Sequence, residues 1–357
     1  MRIDTFDFEL PDERIAQHPA EPRDAARLLV VGESSLAHET VAELPELLAE
    51  GSLVVVNDTR VFPARILGKK ATSGGKVEIF LIEPAGEREI DANGEKRQVA
   101  IWRALGKSSK PLRFGTDVLA GSLIVHLIGR GDDGLLEVGL TTHENKSVHD
   151  AIHETGHVPL PPYIHRDASA KDEERYQTVY ARHEGAVAAP TAGLHLTNAL
   201  LGRLAIKKCE VVSVTLHVGL GTFQPVTVDD LDTHPMHKET YEISKATADA
   251  IALAKQEKRP IVAIGTTVVR ALESAANADG TVKIGRADTR LLIQPGYSFK
   301  IVDRLMTNFH LPKSTLLALV CAFAGTERVL AAYRKAVEEK YRFYSYGDAM
   351  LLTRSAE

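Results

Sequence analysis

The feature that most constrains the fold is a change of sequence pattern at two points along the chain. Short apolar strands alternate with amphipathic helices before residue 60 and again after residue 147, whereas residues 61–146 carry only short strand patterns between Gly- and Asp-rich turns. Alternating strands and helices build sheets that are covered on both faces, and serial short strands close into small barrels. The pattern therefore predicts an α/β fold with a mostly parallel sheet, formed by residues 1–60 and 147–357. An all-β barrel domain is predicted as an insertion at residues 61–146.

Hydrophobic periodicity also predicts the individual elements. Strands are expected at residues 27–31, 53–57, 76–82, 99–105, 123–128, 135–139, 211–216, 261–264 and 291–293. Helices are expected at residues 40–50, 148–154, 172–180, 196–206, 245–255, 266–275, 314–323 and 328–340.

Composition narrows the class of protein. A chain of 357 residues exceeds what one core usually supports, and its net charge of −5 argues against a globally basic nucleic-acid binder. Two cysteines far apart in sequence suit a reducing compartment. The first residues are acidic where a signal peptide needs an apolar core, and the apolar run at 316–323 is too short to span a bilayer. We therefore expect a cytoplasmic protein that does not bind membranes.

Three histidines lie where predicted elements meet loops, each near small or hydroxylated residues. His195 precedes a predicted helix, and Thr191 and Gly193 form the entering loop, with Thr191 as a possible helix cap. His217 follows the strand predicted at 211–216, at the end where ligands bind in open α/β sheets. His310 lies on a loop before the helix predicted at 314–323, where it and Lys313 are expected to be exposed.

The segment Gly265-Thr-Thr267 joins a predicted strand to a predicted helix, so its backbone N–H groups favour an anion such as phosphate or carboxylate. The alternative is that Thr266 simply caps the helix. Arg270 and Glu273 lie one turn apart on this helix and are expected to pair with each other.

Two other kinds of site are weighed and kept as alternatives. Gly219-Leu-Gly221-Thr222 resembles a dinucleotide fingerprint without its third glycine, and Glu239 lies about where the ribose-binding acid belongs. His217, His234, His237 and Glu239 could be read as a metal site, but their spacing is not that of a helical pair and no cysteine cluster assists them. We predict no metal.

Longer motifs then occur in one order along the chain. They are Asn57-Asp-Thr-Arg60, Arg175-Tyr-Gln-Thr-Val-Tyr-Ala181, Gly185-Ala-Val-Ala-Ala-Pro-Thr-Ala-Gly-Leu-His195, Leu216-His-Val-Gly-Leu-Gly-Thr-Phe223, His234-Pro-Met-His237, Gly265-Thr-Thr267, Thr307-Asn-Phe-His-Leu-Pro312 and Tyr346-Gly-Asp348. The whole, from about residue 6 to residue 351, resembles the S-adenosylmethionine:tRNA ribosyltransferase-isomerase family of queuosine biosynthesis. Leu196 departs from it, because an aromatic residue is expected after the histidine.

The resemblance implies an α/β domain carrying a β-barrel domain and an unusual use of S-adenosylmethionine. The family transfers the ribosyl part of this molecule to the aminomethyl group of a 7-deazaguanine base at the tRNA wobble position. The ribose is rearranged to an epoxycyclopentane ring, which gives epoxyqueuosine, and adenine and methionine leave. This chemistry needs a base beside the sulfonium, an acid for adenine departure and a neutral incoming amine.

These requirements, applied to the motifs, give the expected site residues. The expected catalytic residues are His195, His217, His310 and Asp348. The expected cofactor-binding residues are Thr191, Gly193, Gly219, Gly221, Thr222, Gly265, Thr266, Thr267, Arg270, Asn308, Tyr344 and Tyr346. The Gly265-Thr-Thr267 helix start is the expected cradle of the methionine carboxylate, and Asp348, Tyr344 or Tyr346 is expected beside the sulfonium.

The partner implied is the anticodon region of a tRNA that carries the 7-deazaguanine precursor, bound by a monomer. Two basic stretches without acids lie at or inside the predicted barrel and indicate a docking face. The expected tRNA-binding residues are Asn57, Arg60, Arg65, Lys69, Lys107, Lys110 and Arg113. A dinucleotide-dependent oxidoreductase and a tRNA-binding protein without catalysis remain the alternative functions.

Overall fold

A computed structural model describes residues 1–92, 95–131, 134–143, 146–166, 168–219 and 226–355. The chain divides into two compact units, which are described separately. The first comprises Met1–Arg60, Pro161–Arg166 and Arg175–Glu357, and the second comprises Val61–Leu160 and Asp167–Glu174. This division differs from the predicted return to the α/β domain at residue 147, because the helix that follows residue 147 packs on strands of the second unit.

The strands are β1 (Arg27–Val31), β2 (Leu36–Thr40), β3 (Leu53–Asn57), β4 (Thr59–Val61), β5 (Arg65–Lys70), β6 (Lys76–Ala92), β7 (Glu95–Ser108), β8 (Thr116–Ala120), β9 (Leu123–Arg130), β10 (Leu136–Thr142), β11 (Gly156–His157), β12 (His183–Ala186), β13 (Glu210–Leu216), β14 (Glu239–Ile243), β15 (Ile261–Ile264), β16 (Gly285–Thr289), β17 (Arg304–Asn308) and β18 (Ala349–Thr353). The helices are α1 (Leu44–Leu47), α2 (Val148–Thr155), α3 (Ala170–Arg175), α4 (Asn198–Ile206), α5 (Lys245–Gln256), α6 (Thr266–Ala275), α7 (Thr315–Ala324) and α8 (Thr326–Glu338).

The first unit is built on a mixed nine-stranded sheet in the order β16-β14-β13-β3-β15-β17-β18-β1-β2. Strands β13, β3, β15 and β17 are parallel to one another, and β1 is parallel to β18. The other four neighbouring pairs in the described sheet are antiparallel. The prediction of a mostly parallel sheet is therefore wrong for the sheet as a whole. Parallel pairing is confined to the four central strands β13, β3, β15 and β17 and to the pair of β1 with β18.

Both faces of this sheet are covered by apolar side chains, which is why its central strands read as continuous apolar runs. All five residues of β3 are buried, as are all four of β15. One cluster of buried residues on the sheet includes α5 to α8, and a second includes α1 and α4. The fold is thus of the mixed α/β class.

The second unit contains an antiparallel seven-stranded sheet in the order β11-β5-β6-β7-β10-β9-β8, and β5 also pairs with β8. The pairings of β5, β6, β7, β10, β9 and β8 therefore run in a closed ring. Alternate side chains are buried along these strands, as in Val77, Ile79 and Leu81 of β6. The sequence Asn93-Gly-Glu-Lys-Arg97 predicts an exposed hairpin tip, of which residues 93 and 94 lie outside the described residues.

Several predicted elements differ from those in the structure. The strand at 53–57, the strand at 261–264 and the helix at 266–275 are confirmed with their bounds. The helix predicted at 172–180 ends at Arg175, and the chain then turns, with the Ala181 N–H donating to the Thr178 carbonyl at 3.2 Å. No strand forms at 291–293: the Leu291 N–H donates to Thr289 Oγ1 and its carbonyl accepts from Arg270. These bonds use backbone groups that a neighbouring strand would need.

Within the described ranges, no single helix is both long and apolar enough to cross a bilayer. The adjacent helices α7 and α8 meet the length and composition test only as a pair, and they are bent by 116° at their junction.

Candidate active site

The central parallel strands end at one edge of the sheet, and the candidate site is built there. β13 ends before His217, β3 ends at Asn57, β15 ends before Gly265 and β17 ends at Asn308. Their order in the sheet is β13, β3, β15 and β17, so these four positions follow one another along the edge. This is the edge at which ligands bind in open α/β sheets.

His217 belongs to a cluster at the ends of β13 and β3. Its Nδ1 lies 2.9 Å from Thr59 Oγ1. Asn57 is fully buried beneath it: Nδ2 donates to the Leu216 carbonyl at 3.0 Å, and Oδ1 accepts from the Leu216 N–H at 3.0 Å. Asn57 Nδ2 also lies 3.4 Å from Thr267 Oγ1, which ties α6 to the same cluster.

The His217 ring is half-buried and is held against the backbone of Gly185. A Cβ at Gly185 would lie 2.9 Å from the His217 Cε1 atom, and Gly185 has φ +147. Burial is the main cause that lowers the pKa of His217, and the positive charges of Arg286 and His183 lower it further. The ring is therefore neutral near pH 7 and able to accept a proton.

His195 belongs to a second cluster, at the end of β17. It closes a 3-10 turn, Thr191–His195, and its side chain is buried, with Nε2 3.2 Å from Asn308 Oδ1. Asn308 Nδ2 donates to the carbonyls of Tyr344 at 2.8 Å and Ser345 at 3.2 Å. Asn308 therefore joins the imidazole to the loop before β18.

Burial lowers the pKa of His195 to about 4. The negative charge of Asp348, the Asn308 side chain and the Arg23 carbonyl oppose this shift without overcoming it. His195 is consequently neutral at physiological pH. A neutral buried imidazole is suited to act as a base or as a hydrogen-bonding group.

The third predicted histidine is differently placed. His310 Nε2 lies 3.0 Å from Thr307 Oγ1, the His310 N–H donates to the Tyr333 hydroxyl, and burial lowers the His310 pKa to about 3. Among the described residues, it makes no hydrogen bond to either histidine cluster. The expectation that it is exposed is wrong, because the residue is half-buried and its N–H is bonded to the Tyr333 hydroxyl; Lys313 is exposed but pairs with Asp4 and Asp7.

Asp348 does not face an open cleft. It is 1% exposed and accepts hydrogen bonds from the Arg342 side chain at 2.8 Å, the Arg342 N–H at 2.8 Å and the Arg27 N–H at 3.2 Å. Its charge is thus already balanced, so the predicted contact with a sulfonium is not supported by its position. Its influence reaches His195 through space.

The two predicted tyrosines also pack on other rings. Tyr344 lies 4.0 Å from Tyr163 between ring centroids, and its backbone has φ 72, a conformation that is rare outside glycine. Tyr346 is buried edge-on against Tyr176. Each of the two rings therefore packs against an aromatic side chain of the protein.

The predicted cofactor loops are only partly brought together. Thr191 does not cap α4; Thr197 does, accepting from the Leu200 N–H at 3.1 Å. Gly193 is buried in the 3-10 turn, and a Cβ at Gly265 would lie 3.6 Å from the Ala192 side chain, so this turn lies beside the start of α6. Gly219 follows β13, whereas the predicted residues Gly221 and Thr222 lie outside the described residues.

At the start of α6, Gly265 is the N-cap with φ 99, and its N–H donates to the Met306 carbonyl at 2.7 Å. Thr266 therefore does not cap the helix but forms its first turn. A glycine fits this position because a residue with a side chain would be strained at a positive φ.

Arg270 does not pair with Glu273. It is buried in an ion pair with Glu239, whose pKa is raised by burial against the effect of Arg270. Glu273 instead accepts from the N–H groups of residues 300, 301 and 302. Because Glu239 is engaged in this pair, it is not free to hold a ribose or a metal ion, which weakens the dinucleotide and metal alternatives.

The residues predicted to bind tRNA fall into three groups. Asn57 is fully buried and cannot contact RNA, which corrects that prediction. Arg65 donates two hydrogen bonds to the Glu78 carboxylate, at 3.0 and 3.1 Å, so its positive charge is balanced by the negative charge of Glu78. The exposed residues are Arg60, Lys69, Lys107, Lys110 and Arg113.

Strand register brings two of the exposed lysines onto one face of the second unit. Lys69 of β5 lies opposite Lys76 of β6, and Glu78 of β6 lies opposite Lys107 of β7. Residues two apart on a strand share a face, so Lys69, Lys76 and Lys107 lie on one side of three adjacent strands. Lys76 is a residue that the sequence reasoning missed, since it lies outside both basic stretches.

A small pocket opens beside His195. Its walls include Arg23, Arg175, His195, Ser345 and Tyr346. Arg23 Nη1 is held by the carbonyls of Gln177 at 2.7 Å and Leu194 at 3.2 Å. Neither arginine was predicted as a site residue, although Arg175 opens one of the motifs that carry the family resemblance.

The fold and site define a mixed α/β protein with two neutral, partly or wholly buried histidines on loops at one edge of its sheet. A family model described as queuosine biosynthesis protein matches residues 3–352. The chain therefore belongs to the queuosine biosynthesis protein family.

Similar proteins support this family assignment. The chain is 54% identical to the S-adenosylmethionine:tRNA ribosyltransferase-isomerase of Sorangium cellulosum, over 99% of this chain and 98% of that protein. It is 51% identical to the enzyme of the same name from Anaeromyxobacter sp. strain Fw109-5, over 99% of this chain and all of that one. The crystal structure of S-adenosylmethionine tRNA ribosyltransferase from Thermotoga maritima is similar, with a TM-score of 0.54, 34% identity and coverage of 97% of this chain and 99% of that chain.

Proposed function

We propose that the protein transfers the ribosyl part of S-adenosylmethionine to the aminomethyl group of a 7-deazaguanine wobble base in tRNA. The ribose is isomerised to give epoxyqueuosine, and adenine and methionine are released. The observation that carries this proposal is the pair of neutral histidines, His195 and His217, at one sheet edge in a chain that matches its family over residues 3–352.

The reaction requires groups that accept protons near neutral pH, both beside the sulfonium and at the incoming ammonium. A histidine whose pKa lies below the working pH is in the form that accepts a proton. His195 and His217 both meet this condition, because burial disfavours their charged forms. We assign them proton transfer, with Asn308 orienting His195 and Thr59 orienting His217.

S-adenosylmethionine is proposed to bind along the sheet edge between the two histidine clusters, near the start of α6. The amide groups of Thr266 and Thr267 lie at that helix start, where an anionic group is favoured. No metal ion is assigned a role: Glu239, the carboxylate of the metal alternative, is paired with Arg270.

The second unit is proposed to be the small barrel inserted into the α/β fold and to dock the anticodon region of the tRNA. Lys69, Lys76 and Lys107 provide adjacent positive charges on one of its faces, and phosphate contacts of this kind position RNA without reading its sequence. The chain is proposed to act as a monomer in the cytoplasm, where its free cysteines Cys209 and Cys321 stay reduced.

The test is incubation of the protein with isotope-labelled S-adenosylmethionine and tRNA that carries the precursor base, followed by digestion to nucleosides. Label in epoxyqueuosine, with release of adenine and methionine, is the expected result. Binding of this tRNA without modification would favour the non-catalytic alternative, and a bound nicotinamide or flavin absorbance would favour the oxidoreductase.

His195→Ala and His217→Ala should each lower kcat by about 10²–10⁴ while folding is retained. His143→Ala is the matched control, because His143 is exposed on the second unit. Wild-type turnover in both folded histidine variants would exclude the assigned roles.

A further inference from the structure

The segment from Arg175 to Tyr180 holds an unusual concentration of unsatisfied polar atoms. Nine buried side-chain nitrogen or oxygen atoms lack a hydrogen-bond partner within the described parts of the chain, and four of them lie in these six residues. They are Nε of Arg175 and the hydroxyl oxygens of Tyr176, Thr178 and Tyr180. Native proteins bond nearly all such atoms, so a cluster of exceptions needs an explanation, and a ligand that supplies the missing partners is one.

Thr178 and Tyr180 lie against the 3-10 turn that ends at His195, and residues 194 and 195 of this turn line a pocket together with Arg175. A Cβ at Gly193 would lie 2.1 Å from the Tyr180 hydroxyl and 3.0 Å from Thr178 Cγ2. Arg175 lines the pocket beside His195. The Tyr176 hydroxyl is directed towards Ser345 and the Ala189 N–H, so the inference rests on the other three atoms.

The chemistry of the three atoms defines the partner. The guanidinium Nε of Arg175 only donates hydrogen bonds, and both hydroxyls are able to donate. The walls of the pocket include two arginines, and no carboxylate lines it within the described chain. Glu21 pairs with Arg175 Nη1 at 3.1 Å, but its side chain is 81% exposed and leaves Nε unbonded. An acceptor-rich, negatively charged group fits this arrangement.

We propose that the segment Arg175–Tyr180 and the pocket beside His195 bind the carboxylate of S-adenosylmethionine, an inference that rests on the proposed function. A phosphodiester of RNA stays attached to the polymer on both sides and cannot be enclosed among inaccessible atoms. A terminal carboxylate is attached to the rest of its molecule on one side only, so buried donors can enclose it. This places the methionine carboxylate beside His195 and not on the Thr266 and Thr267 amides of the α6 start, which is the other position in the site that favours an anion.

The first test uses Thr178→Val and Tyr180→Phe, each of which removes an unsatisfied hydroxyl. Loss of an unbonded buried hydroxyl costs the ligand-free protein little, whereas loss of a bond to a charged ligand weakens binding about tenfold to a hundredfold. We expect the Tm without ligand to stay equal or rise, and the KM for S-adenosylmethionine to increase by that factor. Thr247→Val is the control: its hydroxyl donates to the Ser213 carbonyl at 2.7 Å, so its loss should lower Tm and leave the KM unchanged.

The second test identifies the group that is bound. Decarboxylated S-adenosylmethionine differs from the natural substrate only by the carboxylate, so the wild-type protein should bind it more weakly. In Arg175→Gln, the KM for S-adenosylmethionine should rise towards the KM for the decarboxylated compound. The KM for the decarboxylated compound should hardly change.

Two results would overturn the inference. One is that Arg175→Gln weakens both compounds by the same factor. The other is that Thr266→Pro loses the preference for S-adenosylmethionine over the decarboxylated compound while Arg175→Gln keeps it. Thr266→Pro removes a backbone donor at the first position of α6, where proline is tolerated. Intact turnover by the wild-type protein in these assays separates such results from a failure of the proposed function, which would abolish turnover of S-adenosylmethionine altogether.

Discussion

Oδ1 of Asn308 lies 3.2 Å from Nε2 of His195, where β17 ends. Because the same amide donates through Nδ2 to the carbonyls of Tyr344 and Ser345, its orientation is set by the backbone of another segment. Asn308, which the motif suggested as a cofactor ligand, therefore acts in this structure as the residue that positions His195.

Asn308→Asp should raise the pKa of His195, because a carboxylate beside an imidazole favours the charged ring. The acidic limb of the kcat/KM profile for ribosyl transfer should then move to higher pH. Asn308→Ala serves as the control, since it removes the contact without adding a charge. An acidic limb that stays in place in Asn308→Asp would show that His195 does not govern it.

Burial of neutral His195 should also make the stability of the protein depend on pH. With its pKa lowered to about 4 from an ordinary value of 6.5, the unfolded chain binds a proton between these pH values that the folded protein does not. Stability therefore falls as pH falls through this window, by on the order of 3 kcal/mol for this residue. Urea unfolding at pH 7 and pH 4.5 should show a smaller loss for His195→Gln than for the wild type. Equal losses would contradict the assignment.

Gly193→Ala should destabilise the 3-10 turn, since its Cβ would lie 2.1 Å from the Tyr180 hydroxyl. Overpacking of this kind costs about 1–3 kcal/mol. Tyr180→Phe removes the clashing oxygen, so the double variant should recover part of the loss in thermal unfolding. Gly202→Ala is the control, because nothing lies within 4 Å of the Cβ it would add. No recovery in the double variant would place the strain elsewhere.

Arg270 is expected to matter for folding as well as for any ligand. Removing one partner of a buried ion pair leaves an uncompensated charge and costs about 3–5 kcal/mol. Arg270→Met should show this loss in chemical denaturation, and Arg270→Met with Glu239→Gln should recover much of it. If Arg270→Met is as stable as the wild type, the pair with Glu239 is not what holds this arginine.

The basic face of the second unit is testable by charge reversal. Lys69→Glu, Lys76→Glu and Lys107→Glu together should raise the KM for tRNA and reduce its dependence on salt, because phosphate contacts release counterions. The KM for S-adenosylmethionine should remain the same. The matched control reverses Lys245, Lys283 and Lys300, which are exposed on the first unit and carry the same total charge. Equal effects in both triple variants would mean that net charge, and not this face, controls docking.

Much of the local structure was predictable from the sequence. The strand Leu53–Asn57, the strand Ile261–Ile264 and the helix Thr266–Ala275 have the expected bounds, since apolar runs and helical periodicity are local properties of the chain. The positions of His217 and Gly265 after strands were predictable for the same reason. The motifs also sufficed to indicate the family.

The partners of side chains were not predictable. Arg270 was expected to pair with Glu273 one helical turn away, and it pairs with Glu239, which is 31 residues distant. Asp348 was expected to face a ligand, and it is enclosed by bonds from Arg342 and Arg27. Rules for pairs along a helix consider only residues three or four positions apart. A buried charge, however, is stabilised by any partner of opposite charge that the fold brings close to it.

The sequence by itself determined many of the segments that form strands and helices, and which family the chain resembles; it did not predict the strands β17 and β18. Only the tertiary structure decided that β13, β3, β15 and β17 lie side by side, that Asn57 is buried beneath His217, and that Arg175 and His195 line one pocket. The physical reason is that hydrogen bonds between strands and the burial of polar groups depend on distances in space. Residues that lie more than a hundred positions apart in the chain come together only when the sheet is assembled.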